Sequence, residues 1–322
     1  MKYQNIAGSS TCVSSLSVGG NIFGYACDAI ETQRILAAAE ELGVNMVDTA
    51  DVYSEGRSEE FIGQALLARR NRWILATKVG VKSGDTGSGA ATRQNIQGRV
   101  EHSLRRLRTD HIDIYQLHHF DPETPIEETL QTAAQLRAQG KIIHFSVSNC
   151  SVGQICMFEE ASLRTGLPRI ATNQVHYNLL KRNIEHEMMP LFQSRGLGLL
   201  VYGVLGRGVL SGKYREGQPV PDNTRATMSS RVRLDLQPHI LRVVARLETF
   251  CLEAGISLPE LAVAYVLRFN VVLSAVVGMR SVEQLQTVAR ATDLDLGASF
   301  WEKIDEFLCD LGELEGASLG HS

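Results

Sequence analysis

The stretch IQGRVEHSLRRLRTDHIDIYQL, residues 96–117, contains one helix and one strand of the pattern that decides the fold. Its first part sets Ile96, Val100, Leu104 and Leu107 three or four residues apart, the period of an amphipathic helix with one apolar stripe. The arginines between Arg99 and Arg108 take the remaining surface, so they read as a solvated helix face. Its second part, Ile112 to Leu117, is a short apolar run of the kind that forms a strand buried on both sides. The same alternation extends in both directions. Runs that read as strands are Leu16 to Val18, Met46 to Asp48, Trp73 to Thr77, Ile112 to Leu117, Ile142 to Val147, Ala171 to Gln174, Leu197 to Tyr202 and Ser274 to Val277. Helical stripes such as Ile35, Leu36, Ala39 and Leu42 separate them.

Most strand starts fall about 30 residues apart, with one long gap before the last, and parallel strands joined by single helices at this spacing are βα units. Eight such units predict a closed TIM (β/α)8 barrel of the α/β class, one domain over residues 1–322. The long gap opens with residues 203–237, where Gly206, Gly208, Gly212, Gly217, Pro219 and Pro221 predict a long loop after strand seven. Loops beyond about 15 residues in compact domains are functional or disordered. The alternative is a doubly wound sheet, with Gly19-Gly20-Asn21-Ile22-Phe23-Gly24 as its dinucleotide turn. That segment lacks the G-x-G-x-x-G spacing the turn requires.

Composition narrows the function. The 322 residues are 44% hydrophobic and 21% charged, ordinary for a globular chain and unlike disordered, collagenous or coiled-coil sequences. With 32 basic and 36 acidic residues and no long block of one sign, there is no electrostatic footprint for nucleic acid or an anionic membrane. A small molecule is the expected partner, while oligomeric state leaves no mark in composition. Six cysteines without a C-x-x-C pair point to reduced thiols. MKYQNIAGSS lacks the apolar region of a signal peptide, and no apolar run approaches the ~20 residues that span a bilayer. A cytoplasmic setting is expected.

In a βα barrel the reactive groups come from the carboxyl ends of the strands. At or just past those ends stand Asp48, then Tyr53, Lys78, His118, Ser148 and Asn149, Gln174, Tyr202 and Gly278. A tyrosine is a weak acid at neutral pH, with an unperturbed pKa of about 10. A lysine ammonium nearby favours the phenolate: at about 4 Å and an effective dielectric of about 20 the attraction is about 4 kcal/mol, roughly three pKa units before desolvation. Asp48 can supply the counter-charge that keeps Lys78 protonated in a closed pocket. His118 can donate to a carbonyl oxygen, with adjacent His119 expected on the opposite face of the strand. Together these groups can polarise a carbonyl and deliver a proton, while the complementary hydride must come from a cofactor. Taken singly, Asp48 can also be read as a helix cap, and a lone Lys78 is more often a solvated surface lysine. Their shared placement at strand ends carries the functional reading. No H-x-H or H-E-x-x-H is present, so no metal is expected; His118-x-x-Asp121 is the nearest approach to a ligand pair. A glycosidase would need a second strand-end carboxylate beside Asp48, and none follows an apolar run with comparable clarity.

The segment GVNMVDTADVYSEGRSEEFIG, Gly43 to Gly63, resembles the signature of the aldo-keto reductase superfamily. LATK, DIYQLHHFD, FSVSN, NQVHYNLL (residues 173–180), VYGVLGRGVLSGKY (residues 201–214) and VVGMRSVEQL (residues 276–285) follow in that family's order. The resemblance implies an NADPH-dependent reductase of aldehydes or ketones, with NADH less favoured. Its tetrad would be Tyr53 as acid and base, Lys78 and Asp48 as its tuning pair, and His118 as carbonyl orienter. It implies that Ser148, Asn149 and Gln174 hold the nicotinamide carboxamide and that Tyr202 stacks on the ring. The pyrophosphate would lie along Leu205 to Gly212, where glycines let backbone N–H groups approach phosphate, and Gly203, Leu205, Arg207, Gly208 and Lys213 are the expected cofactor contacts of this loop. Gly278, Arg280 and Gln284 would serve the adenosine end, Arg280 matching the 2′-phosphate with its planar fork. The substrate would meet Ile22, Phe23, Tyr25, His119, Phe120 and the loop after Tyr202, a mixed wall suited to a sugar-like or aromatic carbonyl. Family analogy also admits two other roles: a cofactor-binding regulatory subunit of a membrane channel, and a sugar dehydrogenase working in the oxidative direction. The chain departs from the common pattern at Gly203 and Val204, where relatives read serine and proline, at Val277 for proline, and at Val288 for asparagine.

Overall fold

Parallel strands covered on both faces need apolar or hydrogen-bonded residues at nearly every position, and the apolar runs meet that demand. The computed structural model describes residues 1–79, 89–222, 224–228, 232–233 and 235–315. Parts of the expected domain (residues 80–88 and 316–322) and of the expected loop (residues 223, 229–231 and 234) lie outside the described residues.

The chain opens with an antiparallel hairpin of β1 (Tyr3–Asn5) and β2 (Cys12–Ser14). Eight parallel strands then close a barrel: β3 (Leu16–Gly19), β4 (Met46–Asp48), β5 (Ile74–Val79), β6 (Ile112–Leu117), β7 (Ile142–Ser148), β8 (Thr172–His176), β9 (Gly198–Tyr202) and β10 (Val272–Val277). β10 pairs with both β9 and β3, which leaves no open edge. This is a TIM barrel. Outside it run α1 (Ala29–Glu41), α2 (Arg57–Leu66), α3 (Arg93–Leu107), α4 (Ile126–Ala138), α5 (Val152–Thr165) and α6 (Met188–Arg195). The short α7 (Arg225–Met228), then α8 (Pro238–Ala254) and α9 (Leu258–Leu267), fill the long gap before β10, and α10 (Val282–Arg290) and α11 (Gly297–Glu315) follow it. Strand ends differ from the sequence expectation by up to two residues. One such extension carries β8 to His176, opposite Tyr202 on β9.

The hairpin is not legible in the sequence, because three-residue strands are too short to show a period. Its job is evident from burial. Ile6 and Val13 are fully buried with Met46, Ala76, Ile114 and Leu200, closing the amino-terminal mouth of the barrel. The expected long loop follows β9, and its described residues have structure of their own. A 3-10 turn at Gly206–Ser211 leads to α7, and Tyr214, Ala226, Val232 and Leu241 form a small separate core. Glycine and proline exclude long regular elements here but do not exclude packing. No single helix among the described residues is long and apolar enough to cross a membrane.

Candidate active site

The pleat of β4, β5, β6 and β8 turns Asp48, Lys78, Gln116 and Gln174 toward one another at the carboxyl end of the barrel. Asp48 Oδ2 accepts from Lys78 Nζ at 2.6 Å, and Asp48 Oδ1 accepts from Gln174 Nε2 at 2.7 Å and Gln116 Nε2 at 3.1 Å. Lys78 Nζ also donates to the Thr49 carbonyl at 2.9 Å. All four side chains are buried, and such a pair is sustained only when its remaining polar atoms find partners. Gln116 is a site residue the sequence reading missed. Counting by twos from Ile112 and Ile114 would have turned it inward.

Tyr53 stands beyond β4 at the head of a 3-10 turn in which Ser54 (φ 50°) and Glu55 (φ 59°) are left-handed. Strain of this kind persists where surroundings enforce it, and here Ser54 Oγ donates to the Phe23 carbonyl at 2.8 Å. The Tyr53 ring centroid lies 5.1 Å from Lys78 Nζ and 5.8 Å from the His118 ring, edge to face. Asp48, Tyr53, Lys78 and His118 therefore meet in one place. The electrostatic outcome differs from the sequence expectation for Tyr53. Burial raises its pKa more than the charge and hydrogen bond of Lys78 lower it, so the free protein holds the phenol above its ordinary value. For Lys78, burial acts downward, but Asp48 and Tyr53 outweigh it and keep the ammonium charged.

His118 is held neutral, its pKa depressed to about 2 by burial first and then by the charge of Lys78. Its Nδ1 is buried without a partner. The expectation that His119 points away is overturned: the two rings stack at 5.0 Å and 7°, and both line the cavity. β6 ends at Leu117, and alternation of faces ends with the strand.

The cavity measures about 530 Å³. Among the residues expected to serve a dinucleotide, its walls include Ser148, Asn149, Gln174, Tyr202, Gly203, Leu205, Arg207, Gly208, Lys213, Gly278, Arg280 and Gln284. Ser148 Oγ donates to the Gln174 carbonyl at 2.9 Å, Asn149 Nδ2 donates to Ser148 Oγ at 3.1 Å, and the Tyr202 hydroxyl donates to Asn149 Oδ1 at 2.8 Å. A Cβ on Gly278 would come within 2.8 Å of Asn21 Oδ1, and Gly208, at φ 100°, has a conformation other residues rarely take. These are cradles that side chains would fill, and they fit an extended phosphate-bearing ligand. Arg280 precedes the amino terminus of α10, and its N–H donates to Gln284 Oε1 at 2.9 Å.

The expected substrate wall is divided, with the loop after Tyr202 on the cavity. Ile22 and His119 line the cavity, but Phe23 is fully buried in the core, Tyr25 is 67% exposed, and Phe120 packs edge to face on Phe158. The turn at Gly20–Ile22 swings the chain after β3, so successive residues do not share a wall. Asn21, His176 and Thr287 line the cavity without having been anticipated.

Residues 15–308 match the aldo/keto reductase family, and the chain belongs to it. It is 32% identical over 302 residues to a probable voltage-gated potassium channel subunit beta of Arabidopsis thaliana, covering 91% of this chain and 92% of that one. It is 31% identical to the aldo-keto reductase YhdN of Bacillus subtilis, covering 96% and 94%. Among solved structures it is similar to the glycerol dehydrogenase AKR11B4 from Gluconobacter oxydans, with a TM-score of 0.80, 29% identity and coverage of 96% and 95%. The chain is thus an NAD(P)H-dependent oxidoreductase of small carbonyl compounds.

Proposed function

We propose that this protein reduces an aldehyde or ketone to the alcohol, with NADPH preferred to NADH and Tyr53 as the proton donor. The observation that carries the reading is the convergence of Tyr53, Lys78, Asp48 and His118 on one cavity whose other walls suit a dinucleotide. When bound, the nicotinamide dinucleotide supplies the hydride that no side chain can. Ser148, Asn149 and Gln174 would hold its carboxamide, Tyr202 its ring, Leu205 to Gly212 its pyrophosphate, and Arg280 its 2′-phosphate.

Neutral His118 orients the carbonyl oxygen by hydrogen bonding, since an uncharged imidazole donates one N–H without carrying charge into the pocket. Tyr53 gives its proton to that oxygen as negative charge develops on it. The phenolate left behind is stabilised by the Lys78 ammonium, which Asp48 keeps protonated. The raised Tyr53 pKa ensures that the proton is present at neutral pH. In the oxidative direction the same residues run in reverse, on a polyol or a sugar hemiacetal, and the glycerol dehydrogenase neighbour supports that sense for a polyol. Similarity to a channel subunit supports a regulatory reading, but four intact tetrad side chains favour turnover. The six unpaired cysteines suit a reducing, cytoplasmic setting.

The test is a panel of aldehydes, ketones, aldoses and polyols with both dinucleotides, read by nicotinamide absorbance, together with Tyr53→Phe. Turnover should fall by orders of magnitude in the variant while NADPH still quenches protein fluorescence. Near wild-type turnover would remove Tyr53 from the mechanism, and turnover of no compound would favour the regulatory reading.

A further inference from the structure

Tyr202 does not stand alone at the cavity wall. His176 on β8 is its register partner on β9, and their rings stack with centroids 5.3 Å apart and planes 14° from parallel. That geometry lies within the range in which offset aromatic pairs attract. His176 is itself fixed: Asn178 Nδ2 lies 3.2 Å from its Nε2 and donates to the Gly203 carbonyl at 2.8 Å. The Tyr202 hydroxyl is tethered to Asn149, so the ring is held at its tip and on one face. Gly203 completes the arrangement. A Cβ there would meet His176 Cδ2 at 2.3 Å, so a side chain after Tyr202 would displace the imidazole.

We propose that His176 is a positioning residue for the cofactor: its imidazole backs one face of the Tyr202 ring so that the opposite face is presented, already ordered, to the nicotinamide. The inference rests on the reading that Tyr202 stacks on the nicotinamide. Burial, aided by the nearby charges of Lys181 and Arg207, holds the His176 pKa at about 4, so the imidazole is neutral at working pH and adds no charge beside the ring. An ordered platform improves affinity because less freedom is lost on binding.

The test measures the NADPH dissociation constant by fluorescence quenching in wild type, His176→Ala, His176→Leu, His176→Phe, Tyr202→Ala and the His176→Ala/Tyr202→Ala double variant. Thermal melts establish that each is folded. Loss of a backing ring should weaken binding by about three- to tenfold in the Ala and Leu variants. Phe, which keeps a flat face, should bind like wild type. In the Tyr202→Ala background, His176→Ala should add nothing, because the pair acts as one unit. Wild-type affinity in folded His176→Leu, or equal losses from His176→Ala in both backgrounds, would overturn the proposal. Unchanged affinity in Tyr202→Ala would instead overturn the underlying cofactor reading.

Discussion

Lys78 Nζ stands 2.6 Å from Asp48 Oδ2 with both side chains buried, and the carboxylate is further bound by two glutamines. The pair is therefore the electrostatic keel of the site. Removing one partner leaves the other as an uncompensated buried charge. Asp48→Asn should cost about 3 to 5 kcal/mol of stability at neutral pH, as buried pairs broken on one side do. Urea unfolding measures it, and a change within error would show that Lys78 relaxes without its counter-ion. The sign with pH follows from the raised Lys78 pKa: its contribution is present below the unfolded lysine value and lost as pH rises through the folded one.

The directions of the Tyr53 and His118 shifts make a joint statement about rate. With the phenol held above its ordinary value, the acid form that reduction needs is fully populated through neutral pH. With His118 at about 2, no imidazolium forms near its ordinary value. Reductive kcat should therefore be flat from about pH 6 to about pH 9. A limb centred near the ordinary histidine value would mean that His118 takes up a proton in the working enzyme.

His118 also contributes to acid lability. Its folded pKa lies below its unfolded value, so the unfolded chain binds more protons and stability falls as pH drops below the unfolded value. At about pH 5 this one residue should contribute about 2 kcal/mol of the loss relative to neutral pH. His118→Gln should be less acid-sensitive by that amount in denaturant titrations.

Arg280→Ala should raise the dissociation constant for NADPH by at least tenfold and leave that for NADH nearly unchanged, because only the former carries the phosphate a guanidinium grips. An unaltered ratio of the two would remove Arg280 as the 2′-phosphate anchor.

Ile6→Ala tests the hairpin as a plug. Ile6 is fully buried at the barrel end away from the site, and truncating such a side chain costs about 2 to 5 kcal/mol. The melting temperature should drop while KM and kcat at a permissive temperature stay within error of wild type. Altered kinetics would mean that the lower core is coupled to the tetrad.

The sequence by itself determined the barrel, because eight runs that can be buried on both faces, spaced by amphipathic helices, have few other ways to cover themselves. It also marked Asp48, Tyr53, Lys78 and His118, because strand ends are where a barrel exposes chemistry, and its ordered motifs carried the family. What depended on tertiary structure was orientation and environment. The inward turn of Gln116, the burial of Phe23 and the stacking of His118 on His119 each depend on how the chain leaves a strand, which local pattern does not record. The raised Tyr53 pKa is a balance between desolvation and Lys78, and only the packed surroundings set the first of these. The pairing of His176 with Tyr202 joins residues brought together by the β8 and β9 register, a relation that exists only once the barrel has closed.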